Sequence, residues 1–331
     1  MKAVILTEGG QKIGFGHITR CEALCSALHA NGFQTTFAVN GDSSVKKQFK
    51  GRIDYVLNWL YNARRLNHLL RKAQAVIIDS YLAPKNIYDL IAKNVPAPVY
   101  VDDYLRLPYP RGTVLNGGIG TEKLDYPRMP GVSYLLGIKY ALLRKEFWHI
   151  RPHRTRKIIQ DLLLTFGGID HFDLVKSLLC HLRAKHPEVF FHVIVPGNRC
   201  VRYRAVCRDI SRAKFYIKLG AAEMRNLMLK CDVAISGGGQ TLNELSRCGL
   251  PTIGICLASN QKHHLREWQR CKLVTMAGHI KSPNIISRVH EKLNTLSYCR
   301  RQSMTKFASK LVDGGGPQRV VEFLKKILKG A

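Results

Sequence analysis

The fold class follows from residues 3–31, which read AVILTEGGQKIGFGHITRCEALCSALHAN. Ala3–Leu6 is a short apolar run that predicts a buried strand, and residues 7–16 form a glycine-rich loop. Residues 17–31 then carry a helical pattern that ends at Gly32. A strand, a glycine-rich loop and a helix in this order are the first half of a βαβ unit, so a parallel sheet is expected.

The same alternation continues along the chain and occurs twice. Further strands are predicted at residues 34–39, 55–57, 75–79, 99–101, 162–166, 189–195, 213–217, 233–235 and 251–255. Further helices are predicted at residues 62–72, 85–93, 172–185, 222–230, 240–248 and 317–329. Glycines and prolines interrupt the pattern between residues 107 and 130. We therefore predict an α/β protein with two Rossmann-like domains, residues 1–148 and 149–331, with the alternative that the last helix packs back on the first domain.

Length and charge limit the number of domains and the classes of binding partner. A chain of 331 residues with 46% apolar residues has enough material for two cores. Its 52 basic and 23 acidic residues give a formal net charge of +29. This charge is typical either of a solvated basic surface or of a protein with an anionic partner. The basic residues are scattered and form no RNA-recognition or zinc-finger motif, so nucleic-acid binding is not expected.

The ten cysteines contain no C-x-x-C pair, which favours a reduced compartment without a zinc site or a disulfide framework. The N-terminal apolar run is too short for a signal peptide core, and no run approaches the ~20 apolar residues that span a bilayer. We expect a cytoplasmic monomer without a transmembrane segment, a metal or a cofactor.

The first glycine-rich loop, GFGHITR at residues 14–20, opens a helix. Gly14 and Gly16 would let the backbone approach a ligand, although the third glycine of the dinucleotide motif G-x-G-x-x-G is absent. His17 at the helix start is either a polar cap or a general base, a role for which histidine side chains in general are suited near neutral pH. Arg20, one turn later, would pair with an acidic neighbour or with a diphosphate.

A second glycine-rich loop, SGGGQTLNEL at residues 236–245, also joins a buried strand to a helix. Backbone N–H groups and the helix dipole would favour an anion here. Glu244 would complete a capping box with Thr241 or accept hydrogen bonds from ribose hydroxyls. The candidates of this loop are Ser236, Gly238, Gly239, Gln240, Thr241 and Glu244.

Ligands of open α/β sheets bind at the carboxyl ends of strands, so residues that follow strands are the remaining candidates. These are Asp79, Tyr81, Gly168, Asn260 and Gln261. Asp79 would be a turn former or a cleft-facing carboxylate, and residues 260–261 would cap a helix or bind a sugar or phosphate. Asp102 and Asp103 are adjacent on a strand and point apart, so at most one of them faces the cleft.

Six segments resemble, in order, those of the PseG family: IGFGHITR at residues 13–20, IDSY at 78–81, VDDY at 101–104, YALLRKEF at 140–147, FGGID at 166–170 and SGGGQTLNELSRCGLPTIGICLASNQ at 236–261. Members of this family are UDP-2,4-diacetamido-2,4,6-trideoxy-β-L-altropyranose hydrolases of pseudaminic acid biosynthesis. The resemblance implies a glycosyltransferase type B fold, akin to that of MurG, with the substrate bound in an interdomain cleft.

The resemblance also implies roles for individual residues. His17 matches the catalytic base, while Tyr81 and Asn260 match positions that contact the sugar or the phosphate. Glu244 matches the ribose ligand, and residues 238–239 match the diphosphate loop.

The resemblance breaks down at the end of the first strand. Where the family commonly has an arginine, an aspartate and serines, this chain has Leu6, Glu8, Gly9 and Gly10. That segment borders the sugar pocket in the family, so the resemblance does not fix which sugar the substrate carries.

The implied reaction is attack of a water, activated by His17, on the anomeric carbon, with C–O cleavage, inversion and release of UDP. Because UDP is a good leaving group, one base suffices and no metal is required. A glycosyltransferase of the same fold, with an acceptor in place of water, is the alternative enzyme. A non-catalytic protein that binds a nucleotide-sugar or nucleic acid is the third possibility.

Overall fold

The computed structural model describes residues 1–168, 170–195, 202–203, 212–217, 219–259 and 261–330. The chain divides into two compact units, of which the first comprises Met1–Trp148 with Gly314–Ala331 and the second comprises His149–Asp313. Each unit is built on a parallel sheet.

The first unit has seven strands: β1 Lys2–Gly9, β2 Gln34–Gly41, β3 Tyr55–Val56, β4 Ala75–Asp79, β5 Ala97–Val101, β6 Gly112–Asn116 and β7 Val132–Leu136. Its helices before residue 149 are α1 Gly16–Ala30, α2 Ser43–Gln48, α3 Ala63–Leu70 and α4 Lys85–Asn94. The strand order is β3-β2-β1-β4-β5-β6-β7. The chain therefore moves outward from β1 in one direction and from β4 in the other, which makes the β1/β4 junction the topological switch point.

Six strands are described in the second unit: β8 Asp161–Thr165, β9 Phe190–Val195, β10 Ala213–Ile217, β11 Val233–Gly237, β12 Thr252–Cys256 and β13 Val274–His279. The helices described in it are α5 Phe172–Lys185, α6 Ala221–Lys230, α7 Thr241–Arg247, α8 Gln261–Arg270, α9 Ile285–Asn294 and α10 Tyr298–Leu311. Its order, β10-β9-β8-β11-β12-β13, places the switch point between β8 and β11.

The last helix, α11 Gly316–Gly330, belongs to the first unit although it follows the second in the chain. Its residues Val320, Val321 and Leu324 are buried in the same cluster as Ile18 and Leu24 of α1. Burial of this apolar face against α1 accounts for its place, since each fully buried aliphatic side chain contributes about 1.5–3 kcal/mol. The two ends of the chain thus complete one core.

β1 and β4 are buried along almost their whole length, as expected for central strands of a sheet covered on both faces. β1 runs to Gly9, beyond the apolar residues, because its backbone pairs with β2 as far as Gly41. The polar residues Thr7 and Glu8 therefore belong to the carboxyl end of β1 and not to a loop. Among the described helices, none combines the length and the apolar character that crossing a bilayer requires.

Candidate active site

The candidate site of the first unit lies at the carboxyl ends of β1 and β4, where the topological switch point is. The loop after β1 leads directly into α1, which places His17 and Arg20 on the first turns of that helix. Asp79 is the last residue of β4, and Tyr81 follows two residues later. These four of the six residues that the sequence predicts for this half of the site are thus brought together.

His17 is held by a short hydrogen bond to a buried carboxylate. Its Nδ1 atom lies 2.6 Å from Asp79 Oδ1, and Asp79 is completely buried. Because the carboxylate can only accept, Nδ1 carries the proton and donates it to Asp79. The lone pair of the neutral imidazole is then on Nε2, for which no described residue provides a hydrogen-bond partner. This arrangement leaves Nε2 free to accept a proton from a ligand or a water.

Arg20 joins two carboxylates, one at the end of β4 and one in the loop after the neighbouring strand β5. Its Nε and Nη2 atoms donate to the two oxygens of Asp79 at 2.5 and 2.6 Å, and Nη1 donates to both oxygens of Asp103 at 2.7 and 2.9 Å. Arg20 Nη2 also lies 3.1 Å from His17 Nδ1, but two donors face each other there, so the contact is not a hydrogen bond. The guanidinium of Arg20 therefore donates hydrogen bonds only to the two carboxylates, and the Nδ1 proton of His17 is donated to Asp79.

The charges of this cluster compensate one another despite burial. Burial by itself would raise the pKa of Asp79, but the positive charge and hydrogen bonds of Arg20, together with His17, hold that pKa well below its usual range. Burial opposes the charged form of Asp103 as well, yet Arg20 lowers its pKa. Burial would lower the pKa of Arg20, and the two carboxylates raise it instead. Both aspartates are consequently ionised at neutral pH.

Tyr81 covers one side of His17. The two rings meet edge to face with centroids 4.4 Å apart and an interplanar angle of 89°. The Tyr81 hydroxyl donates to Asp103 Oδ2, and burial together with the Asp103 charge raises the pKa of the phenol, so it stays protonated. Tyr81 is still 38% exposed, so part of it is available to a ligand.

Gly14 and Gly16 lie at the entrance to α1. A methyl group at either position would meet no other atom within 4 Å, and Gly14 has a left-handed φ of +86°. Gly14 exchanges two backbone hydrogen bonds with Gly10, which closes residues 10–14 into a tight loop. The glycines therefore leave open space beside His17 rather than filling a packed position.

The second group of predicted residues lies in the second unit, after β11. The side-chain oxygen of Gln261 accepts hydrogen bonds from Gly238 N at 3.0 Å and from Leu257 N at 3.2 Å. His264 Nδ1 lies 3.0 Å from the Gly238 oxygen, to which it donates. Gln261 and His264 thus fix the shape of the glycine loop, a function that the sequence assigned to neither. A methyl group at Gly239 would meet no atom within 4 Å, which leaves this part of the loop open.

The remaining predicted residues surround the same loop. The Ser236 hydroxyl donates to the Gly237 oxygen at 3.2 Å, and Gln240 Oε1 accepts from Asn243 at 2.9 Å. Gln240, and not Thr241, is the cap residue of α7, and no side chain caps this helix. The capping-box interpretation of Thr241 and Glu244 is therefore wrong, because Thr241 already has a helical position inside the first turn.

Three further candidates complete the second unit. Glu244 is buried on α7. Gly168 lies in the turn after β8, where a methyl group would meet nothing within 4 Å. Asn260 lies outside the described residues. Within the described part of the chain, no group of three or more His, Cys, Asp or Glu side chains is arranged to hold a metal ion.

Two residues near His17 were not among the predicted site residues. Asp103 faces Arg20, whereas Asp102 turns the other way and accepts from the hydroxyls of Tyr109 and Tyr126 at 3.1 and 2.7 Å. The expectation that the two adjacent aspartates point apart is confirmed. The other residue is Glu8, which is fully buried beneath the loop that carries Tyr81.

Comparison with known proteins gives relatives at low identity. No protein-family model matches the chain. A Helicobacter pylori protein named pseudaminic acid cytidylyltransferase and UDP-2,4-diacetamido-2,4,6-trideoxy-beta-L-altropyranose hydrolase is 24% identical over 272 residues, which cover 81% of this chain and 47% of that protein. The chain thus spans about half the length of this relative. The spore coat polysaccharide biosynthesis protein SpsG of Bacillus subtilis is 23% identical, with 99% of this chain and 98% of SpsG covered.

Among solved structures, MurG from Acinetobacter baumannii superposes with a TM-score of 0.63 at 13% identity, covering 98% of this chain and all of MurG. At this identity the likeness shows the fold, which is of the glycosyltransferase type B class with two Rossmann-like domains. The fold class that the sequence predicts is therefore confirmed, and so is the resemblance of the chain to the PseG family.

Proposed function

We propose that this chain is a nucleotide-sugar hydrolase that releases UDP from UDP-2,4-diacetamido-2,4,6-trideoxy-β-L-altropyranose or a close analogue. The proposal depends above all on the pairing of His17 Nδ1 with the buried Asp79 carboxylate, which leaves Nε2 as a proton acceptor. The named activity of the Helicobacter pylori relative supports the choice of substrate. A cytoplasmic location and a monomeric state stay predictions of the sequence.

In the proposed reaction, His17 Nε2 accepts a proton from a water molecule while the water oxygen bonds to the anomeric carbon. The bond between that carbon and the diphosphate oxygen breaks, and its electron pair leaves with UDP. Attack on the face opposite the leaving group inverts the configuration. The imidazolium that forms is stabilised by Asp79, as in other histidine bases paired with a carboxylate.

Arg20 has a supporting function in this scheme. By binding Asp79 through Nε and Nη2, it keeps the carboxylate charged and fixes the oxygen to which His17 donates. Since Arg20 also binds Asp103, both carboxylates stay in place when His17 changes its protonation state. We assign the ribose to Glu244 and the diphosphate to residues 238–239, on the resemblance to the family.

The proposal is tested by measuring UDP release from this UDP-sugar with purified protein and without any acceptor. We expect steady release by the wild type and a rate lower by about 10²–10⁴ in His17→Ala. Release that occurs only after addition of an acceptor sugar or lipid would replace the hydrolase by the transferase. Binding of the UDP-sugar without any release would favour the non-catalytic alternative.

A further inference from the structure

Glu8, the penultimate residue of β1, is a buried carboxylate without a cationic partner among the described residues. Its three hydrogen-bond donors all belong to one short segment, residues 80–82. Ser80 Oγ donates to Oε2, Tyr81 N donates to Oε1 at 2.7 Å, and Leu82 N approaches Oε2 at 3.4 Å. The end of β1 therefore fixes the backbone that follows β4.

The segment that Glu8 binds carries Tyr81. The backbone N–H of Tyr81 is bound to Glu8, its hydroxyl is bound to Asp103, and its ring lies against His17. Glu8 itself is out of reach of a ligand, since its side chain is completely buried. Glu8 therefore acts through residues 80–82, the segment to which it is bound and which carries Tyr81.

The hydrogen bonds of Glu8 require a carboxylate at this position. Both oxygens accept, and each of the three groups that contact them donates. A glutamine offers one acceptor and one NH₂ group, which would face either the Tyr81 N–H or the Ser80 hydroxyl. The Ser80 oxygen already accepts from the backbone N–H groups of Leu82 and Ala83, at 3.1 and 2.9 Å, so it has little capacity left.

We propose that Glu8 is a positioning residue that fixes Tyr81 against His17 and so sets the space available to the sugar of the substrate. The proposal rests on the proposed function, because it takes Tyr81 and His17 as neighbours of the reacting sugar. Glu8 belongs to the segment in which this chain departs from the family pattern. We assign to Glu8 an indirect effect on how the sugar fits, and no contact with the sugar itself.

The first test uses no substrate and therefore applies whether or not the proposed UDP-sugar is turned over. The ring of Tyr81 shifts the NMR signals of the His17 ring protons, because the two rings are in edge-to-face contact. We expect Glu8→Gln to move these signals towards their positions in Tyr81→Ala. Glu22→Gln is the matched control, because Glu22 pairs with Arg52 at the surface of α1, and it should leave the His17 signals unchanged.

Glu8→Asp covers the case in which Glu8→Gln does not fold. It keeps the charge but shortens the side chain by one methylene group, so the carboxylate no longer reaches the Tyr81 N–H at the same distance. We expect a smaller shift of the His17 signals in the same direction. Wild-type positions of these signals in the folded Glu8 variant would overturn the proposal.

A double-mutant cycle then tests the route through Tyr81. In the wild-type background we expect Glu8→Gln to lower kcat/KM by about tenfold or more, since small misplacements at a reacting centre are costly. In the Tyr81→Ala background the same change should have little further effect. An equal loss in both backgrounds would overturn the proposal, whereas an inert wild type would count against the proposed function and leave the NMR result standing.

Discussion

His17 Nδ1 and Asp79 Oδ1 are 2.6 Å apart, although 62 residues of chain separate them. The relationship exists because β1 and β4 are neighbours in the sheet, so the helix after one strand meets the end of the other. It sets the tautomer of the histidine and with it the direction of proton transfer.

Removal of the His17 imidazole should abolish most of the turnover without unfolding the protein. For His17→Ala we expect the rate of UDP release to fall by about 10²–10⁴, the usual contribution of a general base. His29→Ala is the matched control, because His29 lies in the last turn of the same helix, outside the site. Steady-state kinetics with a melting curve for each variant check this, and wild-type turnover in folded His17→Ala would contradict it.

Asp79→Asn should impair both catalysis and stability. The neutral amide cannot compensate the charge of Arg20, and loss of one member of a buried ion pair costs on the order of 3 kcal/mol. It also removes the preference for a proton on Nδ1 of His17. Urea denaturation measures the first effect, and ¹⁵N NMR of the His17 ring measures the second. An unchanged tautomer in Asp79→Asn would mean that Asp79 does not orient His17.

The stability of the first unit should fall in acid. The folded-state pKa of Asp79 is depressed below its value of ~3.9 in the unfolded chain, so its contribution is fully present above that pH. As the pH falls through the folded-state pKa, the unfolded chain has already taken up the proton, and the contribution is lost. We expect the free energy of unfolding to decrease below pH ~4, and less steeply in Asp79→Asn. Equal slopes for the two proteins would contradict this assignment.

Two neighbouring glycines of the second unit should respond differently to alanine. A methyl group at Gly238 would lie 2.8 Å from Leu265 Cγ and 2.9 Å from Gln261 Cβ, so Gly238→Ala should lose about 1–3 kcal/mol of stability. A methyl group at Gly239 meets no protein atom within 4 Å, so Gly239→Ala should melt like the wild type. If this loop holds the diphosphate, Gly239→Ala should nevertheless bind UDP more weakly.

Calorimetric titration with UDP and melting curves separate these two effects. Gly239→Ala with unchanged melting and unchanged UDP affinity would show that no ligand approaches that part of the loop. Gly168→Ala offers a comparison, because a methyl group there also meets no protein atom within 4 Å.

The sequence predicts most strands of both sheets but misses β6, β7 and β13. Ala75–Asp79 and Ala213–Ile217 are predicted with the bounds that the structure has, because each is a short run with clear ends. β6 and β7 lie within or next to the stretch rich in glycine and proline and are only five residues long each, so neither gives a periodic signal. β13 was missed as well, since Gly278 interrupts it.

The site residues that could be predicted from the sequence are those that lie at the end of a strand or at the start of the next helix. Asp79 ends β4, Tyr81 follows it, and His17 lies in the first turn of α1, so local patterns place them. The choice between Asp102 and Asp103 was not accessible, because alternation shows only that at most one of them faces the cleft. Glu8 gave no signal, since its donors lie 72–74 residues away and no local pattern links them.

The most direct test of the central claim is NMR of the products formed from UDP-2,4-diacetamido-2,4,6-trideoxy-β-L-altropyranose in ¹⁸O-labelled water, without an acceptor. We expect free sugar with the label at C1 and inverted configuration, together with unlabelled UDP. Label in the phosphate product would contradict it, because cleavage would then occur at phosphorus and His17 would not activate water towards the sugar.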